Sequence, residues 1–221
     1  NGSVLSEDEI MALFEGSGID GQTMYRQLKT PSGHVRYVDL CDICETLTDC
    51  FCTHDWGEDE KGRSNHERVK KLNSLLKNHG LSTWFDEERM TGDVREKMGE
   101  GIDTTRTVVI FITERYIDKV AGKGPSGDRD NCRYEYNYCF DKLGPSMFVP
   151  VIMEQRAKNR SEWIGPVARG IGTTLYQSFW DEDTDDRFEE CAKKIAEEIM
   201  VRIQQKPIQE LLRERLEDLL V

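Results

Sequence analysis

The sequence predicts an α/β fold, a central parallel sheet of five strands flanked by helices, behind a small helical N-terminal segment. Three observations carry this. From residue 48 onward, short apolar runs alternate with helical stretches, and strands separated by helices run parallel because each needs a crossover connection. The run "TVVIFIT" (107–113) shows no polar alternation, the pattern of a strand covered on both faces. "RSNHERVKKLNSLLKNHG" (63–80) gathers Val69, Leu72, Leu75 and Leu76 on one side and stops at Gly80, as an amphipathic helix does.

The elements follow in order. Residues 1–47 form the N-terminal segment, expected to be helical. "SEDEIMALFE" opens with a Ser and carries Glu three places later, a capping box. "LKTPSGHVRYVD" (28–39) has the outline of an EF-hand loop, with Gly33 sixth, Val35 eighth and Asp39 twelfth. Leu28 and Thr30 stand where its first and third oxygen ligands belong, so a packing or partner module is expected there and calcium is not. "DCFCTHDW" begins as the first strand of the sheet and ends in polar loop residues. "LSTWF" is the second strand and runs into the charged loop "DEERMTGD"; "DVREKMGEGID" is a short helix before the third strand. A helix from Glu114 is interrupted by the Gly/Pro-rich "AGKGPSGDRD" and resumes through "NCRYEYNYCF". "MFVPVIM" is the fourth strand, and its Pro150 predicts an edge position or a bulge. "TTLYQSF" supplies the fifth strand and "DRFEECAKKIAEEIMVRI" the last helix of the domain. Residues 205–221 carry Ile208, Leu211, Leu212, Leu216, Leu219 and Leu220 as one stripe behind Pro207, a further amphipathic helix that either packs on its own domain or leads onward as a coiled coil.

Composition excludes several classes of function. A net charge of −12 argues against nucleic-acid binding, which needs clustered Lys and Arg. No apolar run is long enough to span a bilayer and no signal-peptide pattern opens the sequence. Seven cysteines, an odd number in a chain of this length, read as free thiols of an intracellular protein, so a cytoplasmic location is expected. Cys41, Cys44, Cys50, Cys52 and His54 crowd together, but without the second paired-cysteine motif of a zinc ribbon, and no metal site is expected.

Parallel sheets of this kind bind ligands beyond the carboxyl ends of their strands, where the strand order switches. Those ends are "THDWGED", "DEERMTGD" and "TERY". One helix brings a carboxylate toward them. In "NCRYEYNYC" (131–139), Cys132, Glu135, Tyr136 and Cys139 recur at three- and four-residue steps and share a face. An acid on such a face marks either a cleft or a solvated carboxylate paired with a neighbour such as Arg133 or Arg129.

The ordered boxes of residues 48–204 resemble the Toll/interleukin-1 receptor (TIR) domains, whose fold is flavodoxin-like. "CFCTHDW" is similar to the first family box, and "GLSTWFDEERMTGDVREKMGEGID" to the second box with its BB loop. "TVVIFITERYI" resembles the third strand, "CRYE" the Cys-x-x-Glu of the NAD-cleaving members, and "SFW" the third box. The resemblance implies a catalytic Glu135, with Thr53, His54 and Cys132 lining a nucleotide cleft and Asp86 at the box position before the BB loop. Trp56 offers a stacking surface for a nucleobase or nicotinamide ring. It further implies NAD+ as substrate rather than cofactor, other TIR domains as partners, and a role in immune or cell-death signalling. Two departures stand out: Asn131 where several enzymatic members carry Trp, and Asp55 where some carry Arg. The competing expectation is a TIR adaptor that assembles with its own kind and catalyses nothing.

Overall fold

Alternation of side chains along three strands sorts the core into two layers. A computed structural model describes residues 4–15, 21–36, 40, 47–85, 94–181 and 183–203. In it, β3 (Thr48–Thr53), β4 (Thr83–Trp84), β5 (Thr105–Ile112), β6 (Phe148–Ile152) and β7 (Gln177–Ser178) form one parallel sheet in the order β4-β3-β5-β6-β7. This is the flavodoxin-like order, and its reversal point lies between β3 and β5. Cys50, Cys52, Val109, Phe111, Val149 and Val151 point to one face, where α3 (Asn65–Asn78) and α8 (Asp185–Arg202) cover them. Phe51, Val108, Ile110, Ile112, Phe148 and Ile152 point to the other. That face is covered by α4 (Val94–Asp103), α5 (Glu114–Val120), α6 (Asn131–Leu143) and α7 (Gly165–Ile171). Because Thr53 lies two residues after Phe51, it points toward the α5–α6 layer as well.

Close packing holds α4 on the sheet. Trp84 stacks on Phe51 at a centroid distance of 4.4 Å. Gly101 approaches so near that a Cβ built there would lie 2.4 Å from the Trp84 ring. At the opposite end of the sheet Arg106, fully buried, faces Asp49 at 3.5 Å and donates to the carbonyl of Ile203 at 3.1 Å.

The N-terminal segment holds two helices, α1 (Glu7–Phe14) and α2 (Gly21–Leu28), and an antiparallel ladder of β1 (Val4–Leu5) and β2 (Val35–Arg36) pairs the residues on either side of them. Val35, at the eighth position of the EF-hand-like loop, pairs with Leu5, and both enter a separate small core with Ile10, Leu13, Phe14 and Met24. The capping box of α1 is present, with Glu9 accepting from the Ser6 amide at 2.8 Å. One expectation is corrected: Pro150 makes β6 neither an edge strand nor a bulged one. It stands opposite Ile110 in register with β5, while β7 pairs only with Val151 and Ile152. The partner strand is so short that the proline's missing N–H falls beside the ladder rather than inside it. Residues 205–221, Cys41 and Cys44 lie outside the described residues. No described helix is long and apolar enough to cross a membrane.

Candidate functional site

The carboxyl ends of β3 and β5 open into a cavity of about 290 Å³, lined by His54, Trp56, Met98, Lys119, Arg129, Asn131, Cys132 and Glu135 among others. Its position follows from the strand order, since the helices on either side of the reversal point diverge there. The volume is at the lower end for a small-molecule pocket, which runs from roughly 300 to 1,000 Å³.

α6 delivers the acid. Asp130 caps this helix, its side chain accepting from the Cys132 amide at 3.0 Å. One turn later Glu135 is 7% exposed and borders the cavity. Thr53 Oγ1 donates to Glu135 Oε2 at 2.5 Å, across the gap from β3 to α6. Arg133 turns elsewhere, to Asp128 and to the carbonyl of Val120, so the sequence alternative in which it neutralises Glu135 is not what the fold builds. Beneath Thr53, the hydroxyl of Tyr116 lies 3.1 Å from Thr53 Oγ1.

The wall from β3 is aromatic. His54 Nε2 and His66 Nδ1 share a hydrogen bond of 2.9 Å, and the two rings stack with each other and with Phe85. Trp56 lies over His66 at 3.9 Å and remains 55% exposed, so one face of this stack is presented at the cavity mouth. Burial, with His66 and Lys119 adding to it, pulls His54 down to a pKa of about 3 and keeps its ring neutral. Trp84, by contrast, is core packing under α4.

The rim from α5 is charged. Burial opposes the charge of Lys119, but the carboxylates of Asp55 and Asp130 hold its pKa above the usual lysine value. Its ammonium lies 3.1 Å from Asp55 and 3.6 Å from Asp130. Asp55 also accepts from Arg115 at 3.1 Å and from the Gly57 amide at 2.9 Å, so the acid found where an Arg was expected serves as an anchor for two cations. Burial and then Glu135 push the Cys132 thiol well above its ordinary value, leaving it a neutral lining group that donates to the His54 carbonyl at 3.4 Å.

Of the sequence candidates, Glu135, Thr53, His54, Trp56 and Cys132 are thus brought together. Asp86 and the loop 86–93 lie outside the described residues. Sequence reasoning missed His66, Tyr116, Met98 and Lys119. Tyr116 and Lys119 are three apart on α5, a spacing that already put them on one helix face. Among the described residues no group of three or more His, Cys, Asp or Glu side chains is arranged to hold a metal ion.

Comparison with known families identifies one: the family described as TIR domain matches residues 62–195, more than half of the chain. Among curated proteins no match was found.

Proposed function

The chain belongs to the TIR domain family, and from that premise we propose that it cleaves NAD+ at the bond between nicotinamide and ribose, with Glu135 as the catalytic carboxylate. The observation that carries this reading is Glu135 itself, a nearly buried acid held by Thr53 at the edge of a cavity beyond the sheet's carboxyl ends.

The chemistry asks little of the protein in protons. As the C–N glycosidic bond breaks, its electron pair goes to the pyridinium nitrogen, and nicotinamide departs neutral without a general acid. Positive charge grows on the ribose ring, as in glycoside cleavage. A carboxylate fixed beside that ring stabilises the transition state more than the ground state, where the charge still resides on the pyridinium. Water then adds to the anomeric carbon and loses a proton, giving ADP-ribose; an internal nucleophile in its place gives a cyclic product. A neutral His54 adds no repulsion against the cationic nicotinamide ring of the substrate. Trp56 supplies a half-exposed ring on which a planar base can stack. Arg129 at the rim has no ion pair among the described residues and suits a pyrophosphate. We further propose that contact between TIR domains completes the competent state, in cytoplasmic immune or cell-death signalling.

Nicotinamide release from NAD+ at high protein concentration tests the reading. Glu135→Gln is expected to reduce it at least ~100-fold, the scale of losing one electrostatic stabiliser; equal rates for wild type and variant would end it. A steep dependence of specific activity on protein concentration is expected if self-association is needed. The rival, a recruiting module without catalysis, draws on Asn131, which lines the cavity where several NAD-cleaving members carry Trp. It predicts self-association with no nicotinamide released.

A further inference from the structure

We propose that Tyr116 and Thr53 are positioning residues for Glu135, forming a two-hydroxyl chain that aims the carboxylate and favours its ionised form. This rests on the reading of Glu135 as the catalytic carboxylate.

Thr53 has one hydroxyl proton, and the 2.5 Å contact with Glu135 Oε2 commits it to the carboxylate. Thr53 Oγ1 is then left as an acceptor toward Tyr116, 3.1 Å away, so the phenol must be the donor. Burial pushes the Tyr116 hydroxyl well above its ordinary value, which keeps that proton in place at any working pH. The order is therefore fixed: Tyr116 to Thr53 to Glu135. Each donor in such a chain polarises the next, and a carboxylate that accepts from a polarised hydroxyl is favoured in its charged form.

The site uses a tyrosine where packing alone asks for phenylalanine. Tyr116 is 0% exposed and sits in the apolar layer with Ile117 and Val120, where an unpaired hydroxyl would be costly. The described hydrogen bond of that hydroxyl leads to Thr53, and through it to Glu135. Several other described groups near Glu135 hold their own protons or have partners of their own. Cys132 and Cys139 on α6 are thiols pushed up by burial, and His54 just past β3 is neutral. On α5, Lys119 is bound to Asp55 and Asp130, and on α4, Asp103 is taken up by Tyr138 and Lys142. The hydroxyl chain thus supplies a neutral, directional support for a carboxylate that borders the cavity.

The test uses the full chain with Tyr116→Phe, Thr53→Val and Thr53→Ser. NAD+ turnover is followed across pH, and the Glu135 carboxyl is titrated by carbon NMR with labelled glutamate, assigned by its loss in Glu135→Gln. Tyr116→Phe is expected to lower kcat about tenfold, on the scale of a hydrogen bond serving a charged group, with KM within about twofold. The acid limb of kcat/KM and the NMR midpoint should both move to higher pH. Thr53→Val should move them further, and Thr53→Ser should restore them. A fall in kcat with the acid limb and the midpoint unmoved, or a Thr53→Ser variant as impaired as Thr53→Val, overturns the proposal. If wild type releases no nicotinamide yet the NMR midpoint moves in Tyr116→Phe, the hydroxyl chain stands and the assigned reaction falls. Because Tyr116→Phe keeps the ring, the NMR arm decides even if Thr53→Val does not fold.

Discussion

Two buried glutamates stand at the same end of the sheet and have opposite surroundings. Glu154, just past β6, is 0% exposed and accepts from the amides of Glu60 at 3.0 Å and Glu114 at 2.6 Å. Arg156 faces it at 3.1 Å. Its oxygens are occupied by backbone donors and a guanidinium, and it clamps the loop after β3 to the start of α5. The cluster next to it is equally closed: Arg68 is buried between Asp59 and Asp183 and donates to the carbonyls of Met153 and Phe179. Glu135 instead takes a side-chain hydroxyl and borders a cavity. The difference teaches how to tell a structural acid from a chemical one. Both are buried, and what separates them is that Glu154 is locked by two backbone amides and a guanidinium, whereas Glu135 is held by a hydroxyl at the edge of a cavity.

Substitutions should pull the pair apart. The largest effect expected is on Glu135→Gln, which should remove at least ~100-fold of NAD+ cleavage while moving the urea midpoint little, measured on the same preparation. Glu154→Ala should do the reverse, costing about 2–3 kcal/mol in urea unfolding, since two backbone amides and the Arg156 guanidinium lose their acceptor. Its folded fraction should still turn over NAD+ near the wild-type rate. If Glu154→Ala instead abolished turnover without loss of stability, the contrast would be wrong.

A smaller effect is expected from pH. His54 has a folded pKa of about 3 against an ordinary value of 6.5, so unfolding takes up a proton wherever the pH lies between them. The contribution of this buried neutral ring is complete above 6.5 and is lost as pH falls toward 3, at about 1.4 kcal/mol per pH unit. Urea midpoints at pH 7 and 5.5 should show this slope in wild type and a shallower one in His54→Gln. The smallest effect should come from Trp56→Ala at the cavity mouth: a KM for NAD+ raised about fivefold, as one lost aromatic stack predicts, with kcat nearly unchanged. A changed kcat would place Trp56 nearer the reacting bond than stacking requires.

Much of the fold was legible because its signals are local. "TVVIFIT" reads as a doubly covered strand without knowledge of its neighbours, and the face of α6 bearing Glu135 follows from helical spacing alone. What escaped depends on partners. Pro150 looked like an edge residue because the two-residue length of β7 cannot be read from β6. The β1–β2 ladder joins residues some thirty positions apart, beyond the reach of any periodicity. His66 and Tyr116 open helices whose apolar faces dominate the pattern, and each acquires its meaning from a residue at the end of β3 or just past it. Asp55 looked like a lost Arg, and only the approach of Arg115 and Lys119 reveals it as an anchor.

The contact between Gly101 and Trp84 has a consequence for how this site can evolve. α4 carries Met98 into the cavity lining, and how far Met98 stands from Glu135 depends on how deeply α4 seats on the sheet. The missing methyl group of Gly101 is the clearance that permits that depth. The cavity's width is therefore gauged by a residue that never meets the substrate. Any side chain at position 101 would act as a shim, lifting the helix and widening the chamber while leaving every group that does the chemistry in place.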